Sequence, residues 1–125
     1  MSEEKDPLTE IVIGAAIEVH RLMGPGLLES VYQRCMEIEL SLRGCPVKPQ
    51  ARLPLQYKGV DLGDEFVVDL YFPGRLVVEL KTVEKVIAVH EAQLLTYLRL
   101  SQTRVGLLIN FNVPVLVNGL KRMVL

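Results

Sequence analysis

The sequence predicts an α/β fold in which helices pack on a mixed sheet, with elements in the order α-α-β-β-β-α-β and an optional hairpin at the carboxyl end. Two segments near the amino end repeat apolar residues at helical spacing, and the centre of the chain shows strand patterns. A helical segment between two later strand patterns implies a crossover connection onto the sheet. The chain has 125 residues, 50% of them hydrophobic, so we expect a single domain over residues 1–125 with a sizeable core.

Two helices are expected at the amino end. The first starts at Pro7 and ends at Gly24-Pro25-Gly26, and its predicted buried face consists of Leu8, Ile11, Val12, Ala15, Ala16, Val19 and Leu22. The second runs from about Leu27 to Leu42 and closes on Arg43-Gly44. Its apolar positions are Leu28, Val31, Tyr32, Cys35, Met36, Ile38 and Leu42. The two helices should meet at a tight corner.

The next three elements read as an antiparallel meander. The first strand alternates after Pro46, placing on one side Val47, Pro49, Ala51, Leu53, Leu55 and Tyr57. Its prolines favour the edge of a sheet. Turns at Lys58-Gly59 and Pro73-Gly74 separate it from strands at Glu65–Phe72 and Leu76–Lys81.

The carboxyl third of the chain supplies the crossover. Val89–Leu100 has helical spacing and Val105–Phe111 is an apolar, β-branched strand pattern. Val115–Val117 and Leu120–Leu125 could form the optional hairpin around Asn118-Gly119, since Asn-Gly is a strong turn dipeptide.

Composition excludes several function classes. The net charge of −1 gives no broad field for attracting polyanions, so nucleic acid would need a local basic patch. The residues considered for such a patch are Lys81, Lys85, Arg99 and Arg104. Cys35 and Cys45 match no zinc spacing and are expected to be reduced thiols, which favours a cytoplasmic location. We expect neither a signal core in the acidic amino terminus nor a membrane span.

Three charged residues interrupt apolar strands and suggest one site. Asp69 interrupts the second strand, and Glu79 and Lys81 lie two apart on the third, which places both on one face. Desolvating such groups is unfavourable unless they pair or hold an ion. An ordinary salt-bridged sheet face is the alternative.

The register of the hairpin between these strands tests the idea. A strict two-residue Pro73-Gly74 loop would pair Asp69 with Val78 and leave the two acids on opposite faces, whereas a loop that includes Arg75, or a bulge, would pair Asp69 with Glu79. We expect the second register. Two facing carboxylates would repel unless a cation lay between them, and oxygen ligands suit Mg²⁺ or Mn²⁺.

At this point the motifs resemble those of a known family. Asp69 followed by Glu79-Leu80-Lys81 resembles the D…ExK core of PD-(D/E)XK nucleases, although Val68 replaces the proline of that motif. Gly26-Leu-Leu-Glu-Ser-Val-Tyr32 resembles the signature of the GxxExxY proteins, a branch of that superfamily, and Gln93-Leu-Leu-Thr-Tyr97 looks like the QxxxY motif of RecB-like members. The resemblance implies a restriction-endonuclease-like core over roughly Leu8–Phe111.

The resemblance also implies roles for the residues of the D…ExK core. Asp69 and Glu79, with the carbonyl of Leu80, would hold Mg²⁺ or Mn²⁺. Lys81 would orient or deprotonate the attacking water and stabilise charge on the phosphate. Glu29 would face the site and bind water or a second ion, or else serve only as a favourable acid in the first turn of its helix.

Further residues would surround this centre. Gln93 and Tyr97, one helical turn apart, would border the cleft and contact the nucleic-acid backbone. Tyr32 is expected to be a core aromatic whose hydroxyl supports the site, and His20 a second supporting residue. His90 is expected only to cap or border the third helix.

The implied function is metal-dependent hydrolysis of phosphodiester bonds, with DNA favoured over RNA. The alternative is a catalytically weak or inactive nuclease-like module that binds nucleic acid or a partner protein. A lone domain needs help to choose its target, so we also expect a targeting partner or a homodimer, formed through the apolar end Met123–Leu125.

Overall fold

The computed structural model describes residues 6–125; the start of the acidic amino terminus, residues 1–5, lies outside the described residues. The elements are α1 (Pro7–Met23), α2 (Glu29–Leu42), β1 (Lys48–Tyr57), β2 (Val60–Phe72), β3 (Leu76–Lys81), α3 (Ala88–Ser101), β4 (Val105–Asn110), a 3₁₀ helix (Leu116–Gly119) and β5 (Leu120–Val124). Each helix and strand of the predicted α-α-β-β-β-α-β order is present. Within residues 6–125 no helix is long and apolar enough to cross a membrane, and Cys35 and Cys45 are both free.

The five strands form one mixed sheet in the order β1-β2-β3-β4-β5. β1, β2 and β3 are antiparallel neighbours, as predicted for the meander. β3 and β4 are parallel, because α3 carries the chain across the sheet between them. β1 lies at the edge, which is where its prolines remove no hydrogen bond from the sheet interior.

Hydrogen bonds fix both ends of α1, and the second set holds the corner between α1 and α2. Asp6 caps α1 by accepting hydrogen bonds from the Leu8 amide and the Thr9 hydroxyl at 3.3 and 2.9 Å. At the other end, the Tyr32 hydroxyl donates to the Gly24 carbonyl and accepts from the Leu27 amide, and the Tyr32 ring is fully buried. The corner therefore fixes the direction in which α2 starts.

α1 and α2 cover one face of the sheet, and α3 covers the other. Each face has its own cluster of buried apolar side chains. Part of the predicted apolar faces lies in solvent instead, at Ile11, Leu22, Leu28, Ile38 and Leu42. α2 carries two apolar stripes, and the one at steps of four residues faces the core, through Tyr32, Met36 and Leu40. Helical spacing alone does not say which stripe is buried.

In both β1 and β2, the face of the sheet on which the apolar side chains pack changes at one shared position. Val47 packs on the α1/α2 side, whereas Ala51, Leu53 and Leu55 pack on the α3 side, so the prediction that β1 keeps one apolar face was wrong. In β2, Phe66 and Val68 pack on the α3 side, and Leu70 and Phe72 pack on the α1/α2 side. The pairs Pro49–Leu70 and Ala51–Val68 flank the change. The change therefore occurs where Gln50 lies opposite Asp69.

β2 starts five residues before the predicted position. Lys58 and Gly59, at φ 51° and 82°, form the expected turn, and Tyr57 pairs directly with Val60. Residues 60–65 are exposed whichever way their side chains point. Val60 and Leu62 are the only apolar side chains in this segment, and the alternation ends at Gly63, so the pattern was too short to be recognised as part of the strand.

The optional hairpin at the carboxyl end takes a different form. Asn118-Gly119 lies in the 3₁₀ helix and not in a turn between two strands, so the predicted strand at Val115–Val117 was wrong. β5 pairs antiparallel with β4 instead. Gly119 packs so closely on β4 that an added Cβ would lie 2.1 Å from the Asn110 carbonyl oxygen.

Candidate active site

The hairpin between β2 and β3 brings Asp69 and Glu79 together. Its loop includes Arg75, and the register is Leu70–Val78, Tyr71–Val77 and Phe72–Leu76, which confirms the predicted register. Beyond this ladder, the Asp69 amide donates to Glu79 Oε2 at 3.0 Å and the Leu80 amide donates to Asp69 Oδ2 at 2.8 Å. The two carboxylates thus converge between the strands, each held by the backbone of the other strand.

Burial makes Glu79 the most perturbed acid of the group. Its side chain is only 5% exposed, and burial, followed by the charge of Asp69, raises its pKa to about 8. The hydrogen bond from the Asp69 amide and the charge of Lys81 act in the opposite direction. A second carboxylate beside a buried one favours either a proton or a cation between them.

Lys81 shares a face with Glu79 but makes no ion pair with any described residue. Within residues 6–125 the salt bridges are Arg21–Glu18, Arg43–Glu39 and Arg52–Glu65. Lys81 is half-buried at the end of β3. The alternative of a salt-bridged, solvated sheet face therefore does not describe these residues, because Glu79 is buried and no carboxylate among residues 6–125 lies within ion-pair distance of Lys81.

Glu29, in the first turn of α2, is within electrostatic reach of the same group. Burial raises its pKa first, the charge of Asp69 raises it further, and Lys81 lowers it. An open cleft of about 410 Å³ adjoins this position and is lined by Glu29, Ser30, Gln33, Arg34 and Gln50.

Two glutamines that the sequence did not single out hold Asp69. Gln33, only 8% exposed, donates from Nε2 to the Asp69 carbonyl at 2.9 Å and to Glu37 Oε2 at 3.0 Å. Gln50 donates from Nε2 to Asp69 Oδ1 at 3.1 Å. The four-residue steps from Glu29 through Gln33 to Glu37 place these side chains on one face of α2. No local pattern indicates either contact with Asp69.

Of the two α3 residues expected at the cleft, Tyr97 shows an interaction with the acids. Burial raises the pKa of Tyr97, and the charges of Glu79 and Asp69 raise it further. Its ring lies 4.9 Å from that of Phe66. Gln93 lies one turn earlier on the same helix, is exposed, and makes no side-chain hydrogen bond within the part of the chain described.

The remaining predicted supporting residues have structural contacts. The Tyr32 hydroxyl binds the backbone of the α1–α2 corner that leads into Glu29. His20 Nε2 donates to the Val113 carbonyl at 2.7 Å, so it anchors the segment after β4. His90 Nδ1 accepts from the Ile87 amide at 3.1 Å, which confirms its expected place at the start of α3.

The basic residues considered for a phosphate-binding face do not form one patch. Lys85 precedes α3 and lines a cleft with Glu84, Glu91 and Lys121. Arg99 and Arg104 lie at the other end of α3, and 14 helical residues span roughly 20 Å. The spacing in the sequence did not show this separation.

The donors at the site suit a small divalent cation. Two carboxylates and a backbone carbonyl are the hard oxygen ligands that Mg²⁺ prefers, and Mg²⁺ commonly uses one or two carboxylates and keeps several waters. Within residues 6–125 no three His, Cys, Asp or Glu side chains form a ready-made ligand group. Water or substrate oxygens would therefore complete the coordination.

Comparison with known proteins identifies the family of the chain. A family model for the PD-(D/E)XK nuclease superfamily matches residues 6–123, a range that includes every helix of the structure and nearly all of β5. No curated protein and no solved structure gives a significant match. The nucleases of this superfamily generally use divalent metal ions. The fold and the family match together show that this chain belongs to the PD-(D/E)XK nuclease superfamily.

Proposed function

We propose that the chain is a metal-dependent nuclease that hydrolyses phosphodiester bonds in DNA or RNA, and that within the superfamily it belongs to the GxxExxY branch. The observation that supports the activity best is the reciprocal pair of hydrogen bonds that joins Asp69 and Glu79 across β2 and β3. The branch assignment rests on the likeness of Gly26–Tyr32 to the GxxExxY signature.

In this proposal Asp69, Glu79 and the Leu80 carbonyl hold Mg²⁺ or Mn²⁺. The ion would acidify a bound water and offset negative charge on the phosphate. Lys81, on the same face as Glu79, would orient the attacking water and stabilise charge that develops on the phosphate oxygens. Glu29 would bind a further water at the edge of the cleft.

A few residues near the site, and not a broad positive surface, must bind the nucleic acid, because the chain has a net charge of −1 and its basic residues are dispersed. We place the nucleic-acid backbone along the side of the site bordered by α3, where the charges of the two acids raise the pKa of Tyr97 and Gln93 is exposed one turn away. DNA is the favoured substrate.

A cleavage assay tests the proposal. Single- and double-stranded DNA and RNA are incubated with Mg²⁺ or Mn²⁺ and with wild type, Asp69→Asn or Lys81→Ala. We expect each variant to lose roughly a hundredfold or more in rate, because Asp69→Asn removes a charged ligand of the ion and Lys81→Ala removes a group that stabilises developing charge. Lys85→Ala, which changes an exposed lysine outside the acid cluster, is the matched control and should keep its activity. Full activity in both site variants would reject the mechanism.

A second function is favoured by one observation. The chain is small and mildly acidic, with 125 residues and a net charge of −1, as expected if it kept the fold but acted as a nucleic-acid-binding or protein-binding module. Binding of nucleic acid by wild type without any metal-dependent cleavage, measured on the same substrates, would select this alternative.

A further inference from the structure

Gln50 has an unusual backbone conformation for its position. Three residues other than glycine have positive φ within residues 6–125: Gln50 at 47°, Lys58 at 51° and Gln102 at 55°. Lys58 lies in a hairpin turn and Gln102 ends a helix, which are ordinary places for this conformation. Gln50 lies inside β1. A left-handed conformation there is unfavourable for any residue with a Cβ, and its presence calls for a compensating role.

The strained residue coincides with the position at which both strands change faces. The flanking pairs Pro49–Leu70 and Ala51–Val68 keep their register, so the change needs no inserted residue. The backbone conformation of Gln50, opposite Asp69, instead rotates the strand, so that apolar residues before and after it pack on opposite faces of the sheet. The same local change therefore sets the environment of the Asp69 carboxylate.

The side chain of Gln50 completes the support of that carboxylate. Asp69 Oδ2 accepts from the Leu80 amide at 2.8 Å, and Oδ1 accepts from Gln50 Nε2 at 3.1 Å. With both oxygens bonded, the carboxylate cannot rotate freely about its last bond. Gln50 also lines the cleft with Glu29. An amide suits this role because it donates a hydrogen bond without adding a positive charge that would compete with a cation.

We propose that Gln50 is a positioning residue, whose left-handed backbone is retained because it brings the side-chain amide to Asp69 Oδ1 and fixes that carboxylate for metal binding. This inference rests on the proposed function, since it takes Asp69 as a metal ligand. Groups that orient a ligand typically change metal affinity tenfold or more when they are removed.

Gln50→Gly separates the effect of the left-handed backbone from the effect of the side-chain amide. Glycine accepts φ 47° without strain and keeps the backbone path, but it removes the amide. We expect an unchanged or higher melting temperature together with a roughly tenfold weaker Mn²⁺ affinity, measured by calorimetric titration of the full chain with MnCl₂ in the absence of nucleic acid. Gln50→Asn, which also tolerates the left-handed region but is one methylene shorter, should weaken Mn²⁺ binding in the same way.

Gln102→Gly is the matched control, because it relieves the same kind of strain at the end of α3 and should leave Mn²⁺ affinity unchanged. Wild-type affinity in Gln50→Gly would overturn the inference and leave the proposed function standing. A fall in melting temperature that accompanies the loss of affinity would also overturn it, by showing a merely structural role. Absence of Mn²⁺ binding by wild type would reject the proposed metal site, and the inference with it.

Discussion

Glu79 shows at the scale of one residue how its surroundings change its chemistry. In the sequence it is an acid two positions before a lysine, as in many exposed strands. In the structure it is buried beside a second carboxylate, and its pKa rises from 4.5 to about 8. Near neutral pH and without a cation, most Glu79 side chains are therefore protonated in the folded chain.

This shift predicts that stability depends on pH. Between 4.5 and about 8, folded Glu79 retains a proton that the unfolded chain has released. The resulting stabilisation is complete below the unfolded pKa and is lost as the pH rises through the folded pKa. Each pKa unit corresponds to about 1.4 kcal/mol. The free energy of unfolding should therefore fall between pH 5 and pH 8, as measured by urea unfolding in EDTA.

Glu79→Gln is the control for this effect, because glutamine has a similar shape and does not titrate. The difference in unfolding free energy between wild type and Glu79→Gln should decrease as the pH rises. Parallel pH profiles for the two proteins would show that the pKa of Glu79 is not raised.

At the scale of elements, the 3₁₀ helix and β4 are held together by a contact that has no room for a side chain. A Cβ at Gly119 would lie 2.1 Å from the carbonyl oxygen of Asn110. The Asn110 side chain in turn binds the backbone of Val83 at 3.1 and 2.8 Å, in the loop that follows Lys81. The carboxyl end of the chain therefore supports the end of β3.

We expect Gly119→Ala to lower the free energy of unfolding by about 1–3 kcal/mol, because the added methyl group must displace backbone. Gly14→Ala is the matched control. A Cβ at Gly14 meets only the flexible end of Arg43, at 3.0 Å, and alanine is favoured over glycine inside a helix by roughly 0.5–1 kcal/mol. Chemical unfolding of both variants measures the contrast, and equal effects would contradict the contact at Gly119.

At the scale of the whole molecule, two apolar clusters share one sheet. Val77 and Val78 are consecutive in β3, yet Val77 packs with the α3 cluster and Val78 with the α1/α2 cluster. Loss of β3 would therefore open both clusters at once. This coupling supports the proposal that the chain is a single domain.

We accordingly expect one cooperative thermal transition, with a calorimetric enthalpy equal to the van't Hoff enthalpy and near 0.7 kcal/mol per residue, a typical value at about 60 °C. Differential scanning calorimetry measures both enthalpies. Two resolved transitions, or a van't Hoff enthalpy well below the calorimetric value, would mean that the two layers unfold separately.

The sequence by itself determined the order of the three helices and the first four strands, because the signals for these are local: apolar periodicity, turn dipeptides and breaks at glycine and proline. The sequence allowed two registers for the hairpin that carries Asp69 and Glu79, and the observed pairing of Leu70 with Val78 decided between them.

Only the tertiary structure decided which apolar stripe of α2 is buried, how deeply Glu79 is buried, and that Gln33 and Gln50 hold Asp69. Gln33 lies 36 residues from Asp69 and Gln50 lies 19 residues from it. Such contacts arise from the packing of α2 and β1 against β2, and no repeat within either segment encodes them. Local patterns specify elements, whereas burial and the partners of polar groups depend on which distant segments come together.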